Sequence, residues 1–199
     1  MAQRTLGAIA VFCGSNHGDS PAFAASAALL GTTLAERRIS LIYGGSSSGL
    51  MGKIADAALT AGGSAIGVIP AALRDKEIAH TGLTELHVVD SMHSRKLRMA
   101  ELADAFIAMP GGFGTLDESF EALTWTQLGI HSKPLGFLNV DGFYDGLLSF
   151  ADTQTAHGFV RAAHRDMVIA DDGPEALIDQ LANVELPSLG KWRNDSLKA

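Results

Sequence analysis

The chain has 199 residues, 47% of them hydrophobic and 19% charged, with 15 Lys plus Arg against 22 Asp plus Glu and a net charge of −7. Such a length suits one domain burying about 70% of the surface its unfolded chain exposes; the apolar content excludes general disorder, and the acidic balance argues against nucleic acid as partner, which would ask for a basic stripe. The single cysteine, Cys13, excludes an internal disulfide and suits a reducing, cytoplasmic compartment, and no apolar run reaches the roughly 18 residues of a membrane span, so no membrane partner is expected.

In chain order, Gly7–Phe12 is a continuous apolar run that reads as a first strand rather than a signal peptide, and it ends at Cys13-Gly14-Ser15. Ser20-Pro21 has the form of an N-cap followed by proline in the first helical position, and Phe23, Ala27, Leu30 and Leu34 follow at helical spacing. Ile39–Tyr43 predicts a strand, Leu50–Ala61 a helix, and Ala65–Ile69 a strand closed by Pro70. Ala71–Gly82 is ambiguous between loop and short helix. Glu85–Val89 predicts a strand, Met92–Ala103 a helix, Ala105–Met109 a strand closed by Pro110, and Leu116–Leu128 a helix. Leu135–Leu138 predicts a strand, Tyr144–His157 a helix, Met167–Ile169 a strand and Pro174–Ala182 a helix. Apolar strands without alternation indicate a parallel sheet covered on both faces. Strands alternating with helices indicate an α/β fold: a doubly wound, Rossmann-like parallel sheet of about seven strands, with helices on both faces. Residues 1–184 are read as a single nucleotide-binding domain and 185–199 as a C-terminal surface tail.

In such a sheet, ligands bind beyond the carboxyl ends of the strands, and the unusual residues collect there. The sharpest signal is Pro110-Gly111-Gly112-Phe113-Gly114-Thr115 after the fifth strand. Three glycines within four residues let backbone approach a ligand, and the following helix offers free N–H groups and the positive end of its dipole. Together these describe a phosphate seat, although a tight turn needing positive φ would use the same glycines. The loop after the second strand, Gly44-Gly45-Ser46-Ser47-Ser48-Gly49, departs from the dinucleotide fingerprint at Ser46, and Lys53-Ile54 departs from a P-loop; both motifs are rejected as written.

Two charged residues stand out. Glu118 lies three residues past Thr115, where it could serve a capping box or face the ligand. Arg95 opens a helix, where a cation is unfavourable by dipole, and an anionic ligand supplies a reason for it. Glu121 is accounted for by the helix dipole, and Arg98 by a solvated face. Cys13 reads as a buried hydrophobe rather than a nucleophile. The seven histidines show no metal-ligand spacing, so no metal and no cofactor is expected.

At these residues the chain resembles the LONELY GUY (LOG) family of cytokinin-activating phosphoribohydrolases, long labelled "possible lysine decarboxylase". The stretch Pro110-Gly111-Gly112-Phe113-Gly114-Thr115-Leu116-Asp117-Glu118 matches the family's P-G-G-x-G-T-x-x-E, and Met92-His93-Ser94-Arg95-Lys96 lies upstream of it. Val11–Ser15, Tyr43-Gly44-Gly45 with Gly49-Leu50-Met51-Gly52, and Leu123–His131 are also similar. Ser46 departs from the third glycine that many members carry. The resemblance implies hydrolysis of the N-glycosidic bond of cytokinin riboside 5'-monophosphates, and of AMP, to free base and ribose 5-phosphate. It makes Arg95 and Glu118 catalytic. Gly14, Ser15, Gly44, Gly45, Met92, Lys96, Gly111, Gly112, Phe113, Gly114 and Thr115 are expected on the nucleoside 5'-monophosphate. The resemblance also implies a homodimer, with the apolar Trp125–Ile130 stretch as candidate interface. No lysine sits in a pyridoxal-phosphate setting that would support the decarboxylase label.

Two other readings stand beside this one: a non-catalytic nucleotide or cofactor carrier, and a nicotinamide-dependent oxidoreductase. The missing fingerprint disfavours the second. Glu118 argues against the first, because a carrier of an anion gains nothing from a carboxylate beside it.

Overall fold

The computed structural model describes residues 4–74 and 79–187. Seven parallel strands form one sheet: β1 (Ala8–Phe12), β2 (Ser40–Tyr43), β3 (Ala65–Pro70), β4 (Glu85–Val89), β5 (Ala105–Ala108), β6 (Leu135–Leu138) and β7 (Val168–Asp171), in the order β4-β3-β2-β1-β5-β6-β7. The helices are α1 (Pro21–Glu36), α2 (Gly49–Thr60), α3 (Ala71–Arg74), α4 (Met92–Leu102), α5 (Phe113–Leu128), α6 (Asp145–Ala156), α7 (Ala162–Arg165) and α8 (Pro174–Asn183), with a 3-10 turn over Val140–Gly142. The doubly wound Rossmann-like sheet expected from the sequence is therefore the observed architecture. Among the described residues, no helix is long and apolar enough to cross a membrane.

The strands read as unbroken apolar runs because both faces of the sheet are covered. Along β1, Ile9 and Val11 enter one core with Leu30 and Leu34 of α1, Ile54 of α2 and Leu181 of α8. Ala10 and Phe12 enter the opposite core with Met99 of α4, Ala122 of α5 and Phe106. Each large apolar side chain buried this way contributes roughly 1.5–3 kcal/mol. At the two edges the runs open: β4 leaves Glu85, Leu86 and Val88 exposed, and β7 is only half-buried.

The ambiguous segment after β3 begins as the single turn α3, and residues 75–78 of it lie outside the described residues, as do residues 188–199 of the expected tail. The one-turn α7 lies in a stretch where no apolar period marks a helix.

β1 pairs with β2 on one side and β5 on the other, Ile9 lying level with Leu41 and Ala105. The chain runs outward from β1 to β4 and then returns to the other side of β1, so the winding reverses between β1 and β5. A crevice opens at such a reversal because the loops leaving the two strands diverge. Here they stay tied at their roots: the Gly14 amide donates to the Pro110 carbonyl at 3.0 Å.

Candidate active site

A cavity of about 350 Å³ lies over the carboxyl ends of β1, β2 and β5. Cys13, Gly14 and Ser15 leave β1 into its wall, Gly44 leaves β2, Met92 and Arg95 come from α4, and Gly112, Phe113, Gly114, Thr115 and Glu118 come from α5. The reversal point thus gathers residues from positions 13 to 118 into one site.

The glycine loop works differently from a turn. None of Gly111, Gly112 and Gly114 has positive φ, which removes the need for left-handed backbone as their explanation. Instead Gly112 is extended (φ −94°, ψ −157°) and caps α5, which starts at Phe113, three residues before the predicted Leu116. No side chain caps this helix, so its first-turn N–H groups, which have no intrahelical acceptor, open on the cavity. A methyl on Gly112 or Gly114 would meet no protein atom within 4 Å. Neither packing nor backbone conformation demands glycine there, and bare backbone lining a cavity is what close approach of an anion requires. Gly111 is different: a methyl there would overlap Thr115 Oγ1 and stand 2.9 Å from the Gly14 amide.

Arg95 is buried, with 7% of its surface exposed. Ser91 caps α4 by accepting from the Ser94 amide at 3.1 Å, which fixes the turn that carries the arginine. Its guanidinium lies against Gly44, where any side chain would overlap Nη2. Arg95 Nη1 contacts Met92 Sδ at 3.9 Å, and Nε has no hydrogen-bond partner among the described residues. A buried guanidinium nitrogen without an acceptor costs free energy unless a ligand supplies one.

Glu118 lines the same cavity. Cys13 lies within the field of both charged groups: burial pushes its thiol pKa well up, Glu118 pushes it further, and Arg95 opposes. Cys13 is therefore a neutral thiol wall, as its apolar setting suggested.

Ten of the expected ligand residues line the cavity: Gly14, Ser15, Gly44, Met92, Arg95, Gly112, Phe113, Gly114, Thr115 and Glu118. Gly45, Gly111 and Lys96 do not. Gly45 (φ +79°) and Gly49 (φ +59°) hold left-handed turns, and Gly49 abuts the Ser15 backbone, so this loop props up the β1 loop. Lys96 is held by Asp117 and Glu121. Met51, Leu73, Met99 and Asp117 also line the cavity. Asp117 stands inside the matched motif; nothing in the sequence around Leu73 marks it.

The fully buried stripe of α5 is Thr115, Ser119, Ala122 and Thr126, with Leu116, Leu123 and Trp125 partly buried against the same core. Small residues let the helix lie close on the sheet; Ser119 Oγ donates to the Thr115 carbonyl at 2.6 Å, and Thr126 Oγ1 lies 2.8 Å from the Lys133 carbonyl beyond the helix and 3.1 Å from the Ala122 carbonyl within it. Phe120, Leu128 and Ile130 remain exposed as a result.

A doubly wound sheet with a buried arginine and a glutamate around one cavity, beside an uncapped helix start, defines a Rossmann-like α/β protein with a candidate site at the switch point. The chain belongs to the family described as "Possible lysine decarboxylase", whose model matches residues 51–181. Its similar proteins bear a more specific name. The cytokinin riboside 5'-monophosphate phosphoribohydrolase LOG7 of Arabidopsis thaliana is 47% identical over 177 residues, 89% of this chain and 82% of that protein. LOG2 of the same plant, named for the same activity, is 48% identical over 170 residues, covering 85% and 80%. A probable member from rice, LOGL1, is 50% identical over 165 residues, covering 83% and 74%. Among solved structures, the molybdenum cofactor binding protein of Rippkaea orientalis has a TM-score of 0.65 at 24% identity, over 90% of this chain and 95% of that one. The molybdenum cofactor carrier protein of Chlamydomonas reinhardtii has a TM-score of 0.66 at 21% identity, over 89% and 98%. These two share the fold.

Proposed function

We propose that this protein hydrolyses the N-glycosidic bond of cytokinin riboside 5'-monophosphates, and of AMP, releasing the base and ribose 5-phosphate. The observation that carries the reading is the meeting of Arg95 and Glu118 in one cavity beside the uncapped start of α5; the relatives' names specify the substrate.

The chemistry suits these groups. Breaking the bond from C1' to the base nitrogen leaves positive charge on the sugar and negative charge on the base. The Glu118 carboxylate stabilises the oxocarbenium-like sugar and receives a proton from the attacking water. Water oxygen bonds to C1', and a proton reaches the departing base. Arg95 holds negative charge at the base or the phosphate; as a guanidinium it does not serve as proton donor. The 5'-phosphate sits on the amides around Gly112 and Gly114, and its binding energy positions the ribose. Thr115 stiffens this seat from below Gly111.

The protein acts in the cytoplasm as a homodimer in this reading. The exposed apolar residues Leu128 (62%) and Ile130 (64%) at the end of α5 offer the self-complementary patch.

The test is release of adenine from AMP, with adenosine and ATP in parallel and a chelator present in one arm. Two or three charge-assisted hydrogen bonds of roughly 1.5–3 kcal/mol each should favour AMP over adenosine by about a hundredfold or more in kcat/KM. The chelator should leave turnover unchanged. Equal kcat/KM for AMP and adenosine would sink the phosphate seat, and AMP binding without turnover would favour a carrier.

A further inference from the structure

Lys96 follows Arg95 on α4, while Asp117 and Glu121 flank Glu118 on α5. Lys96 Nζ donates to Asp117 Oδ2 at 3.1 Å and lies 3.0 Å from Glu121 Oε2. The lysine side chain is 12% exposed and that of Glu121 27%, against 64% for Asp117, so the Glu121 arm is the less screened by solvent. Burial works against the Lys96 charge, but the hydrogen bonds to Glu121 and Asp117 outweigh it and raise its pKa. The ammonium is therefore a permanent cation between two carboxylates.

α4 rests on β1, β2, β3 and β4, and α5 on β1, β5 and β6, and the two share one core through Met99 and Ala100 of α4 and Ala122 of α5. At the seam between them a void of only about 10 Å³ lies among Lys96, Ala100, Glu118, Glu121, Ala122 and Trp125. The Lys96 bridge adds a polar cross-link at the edge of this seam.

We infer that Lys96 is a positioning residue whose bridge to Glu121 and Asp117 ties the α4 turn bearing Arg95 to the α5 turn bearing Glu118, setting the separation of those two groups across the cavity. Its kinetic consequence rests on the reading of the site given above; its structural consequence does not. Because Lys96 does not line the cavity, its loss acts on turnover more than on substrate affinity. Misplacing a reacting group by an ångström can cost up to ~10²-fold in rate.

The experiment compares wild type with Lys96→Met, Lys96→Arg and the double variant Asp117→Asn/Glu121→Gln, measuring AMP kinetics and amide hydrogen exchange. Lys96→Met should lower kcat about tenfold or more with KM changed less than about threefold. Lys96→Arg, which keeps a cation able to span both carboxylates, should recover most of the loss. The double variant, which leaves the lysine in place, should reproduce the loss, and adding it to Lys96→Met should cost nothing further. Exchange should quicken in the first two turns of α5 in Lys96→Met and not in Lys96→Arg. A raised KM with kcat intact would assign Lys96 to direct substrate contact and overturn the inference. So would wild-type kcat together with unchanged exchange. If Lys96→Met fails to fold, the double variant decides. If wild type turns over no nucleotide, the proposed activity falls alone and the exchange comparison still judges the bridge.

Discussion

Glu118 lies in the second turn of α5, on the cavity that also holds Arg95, and this position makes its carboxylate the group with most to lose. Glu118→Gln keeps size and hydrogen-bonding capacity while removing the charge. It should fold normally and lose on the order of 3 kcal/mol of transition-state stabilisation, about a hundredfold or more in kcat. Near-normal turnover by the folded variant would remove Glu118 from the chemistry. The glycines make a sharper contrast. A methyl on Gly112 meets no protein atom within 4 Å, and its φ of −94° accepts any residue. Gly112→Ala should therefore keep its melting temperature while raising KM for AMP about tenfold or more, the loss of one charge-assisted hydrogen bond. Gly111→Ala forces a methyl onto Thr115 Oγ1 and should destabilise the fold by about 1–3 kcal/mol. Thermal unfolding and AMP kinetics on the two variants separate ligand space from packing space.

Arg95 owes its place to α4 as an element rather than to its own contacts. Ser91 caps the helix through the Ser94 amide, and Arg95 closes the first turn by donating its own amide to the Ser91 carbonyl at 3.0 Å. Ser91→Ala should cost about 1 kcal/mol of stability, within the range for lost caps. Because the frayed turn is the one carrying the arginine, AMP turnover should fall as well; denaturant titration paired with kinetics checks both. α5 shows the opposite economy. Its close seat on the sheet uses small residues, with Leu116, Leu123 and Trp125 partly buried beside them and Phe120 and Leu128 exposed.

At the scale of the whole molecule, Leu128 and Ile130 are the surface to test for self-association. Leu128→Glu with Ile130→Glu should shift the protein toward monomer in sedimentation experiments without lowering helix content; an unchanged dimer would place the interface elsewhere. Acid stability is a second global property with a local source. His131 lies tilted against Phe106 and edge-on to Trp125, and its Nε2 is buried without a hydrogen-bond partner among the described residues. Burial, with Lys133 adding, pushes its pKa from the usual 6.5 down to about 4. The folded state thus holds the neutral ring while the unfolded chain takes up a proton below about pH 6.5. Stability should fall as pH drops from about 6.5 to 4, and this part of the slope should vanish in His131→Phe. Unfolding midpoints across that window measure it, and an identical slope in the variant would show that other groups carry the effect.

By itself the sequence determined the alternation of seven apolar strands with helices, because covered strands and capped helices are written in local spacing that needs no partner. It also singled out loops that the fold brings to one cavity, since Gly112-Phe113-Gly114-Thr115 and the off-dipole Arg95 are anomalous without any knowledge of neighbours. Tertiary structure alone decided where these residues point. Gly45 and Gly111 turn out to serve loop packing, and Lys96, one residue from Arg95, turns to α5 rather than to the cavity. The fully buried line of α5 is Thr115, Ser119, Ala122 and Thr126, because close approach to the sheet selects small residues for the innermost positions. The physical reason is common to all four: contacts between elements far apart in the chain depend on the order of strands and the spacing of helices above them, and no local period carries that information.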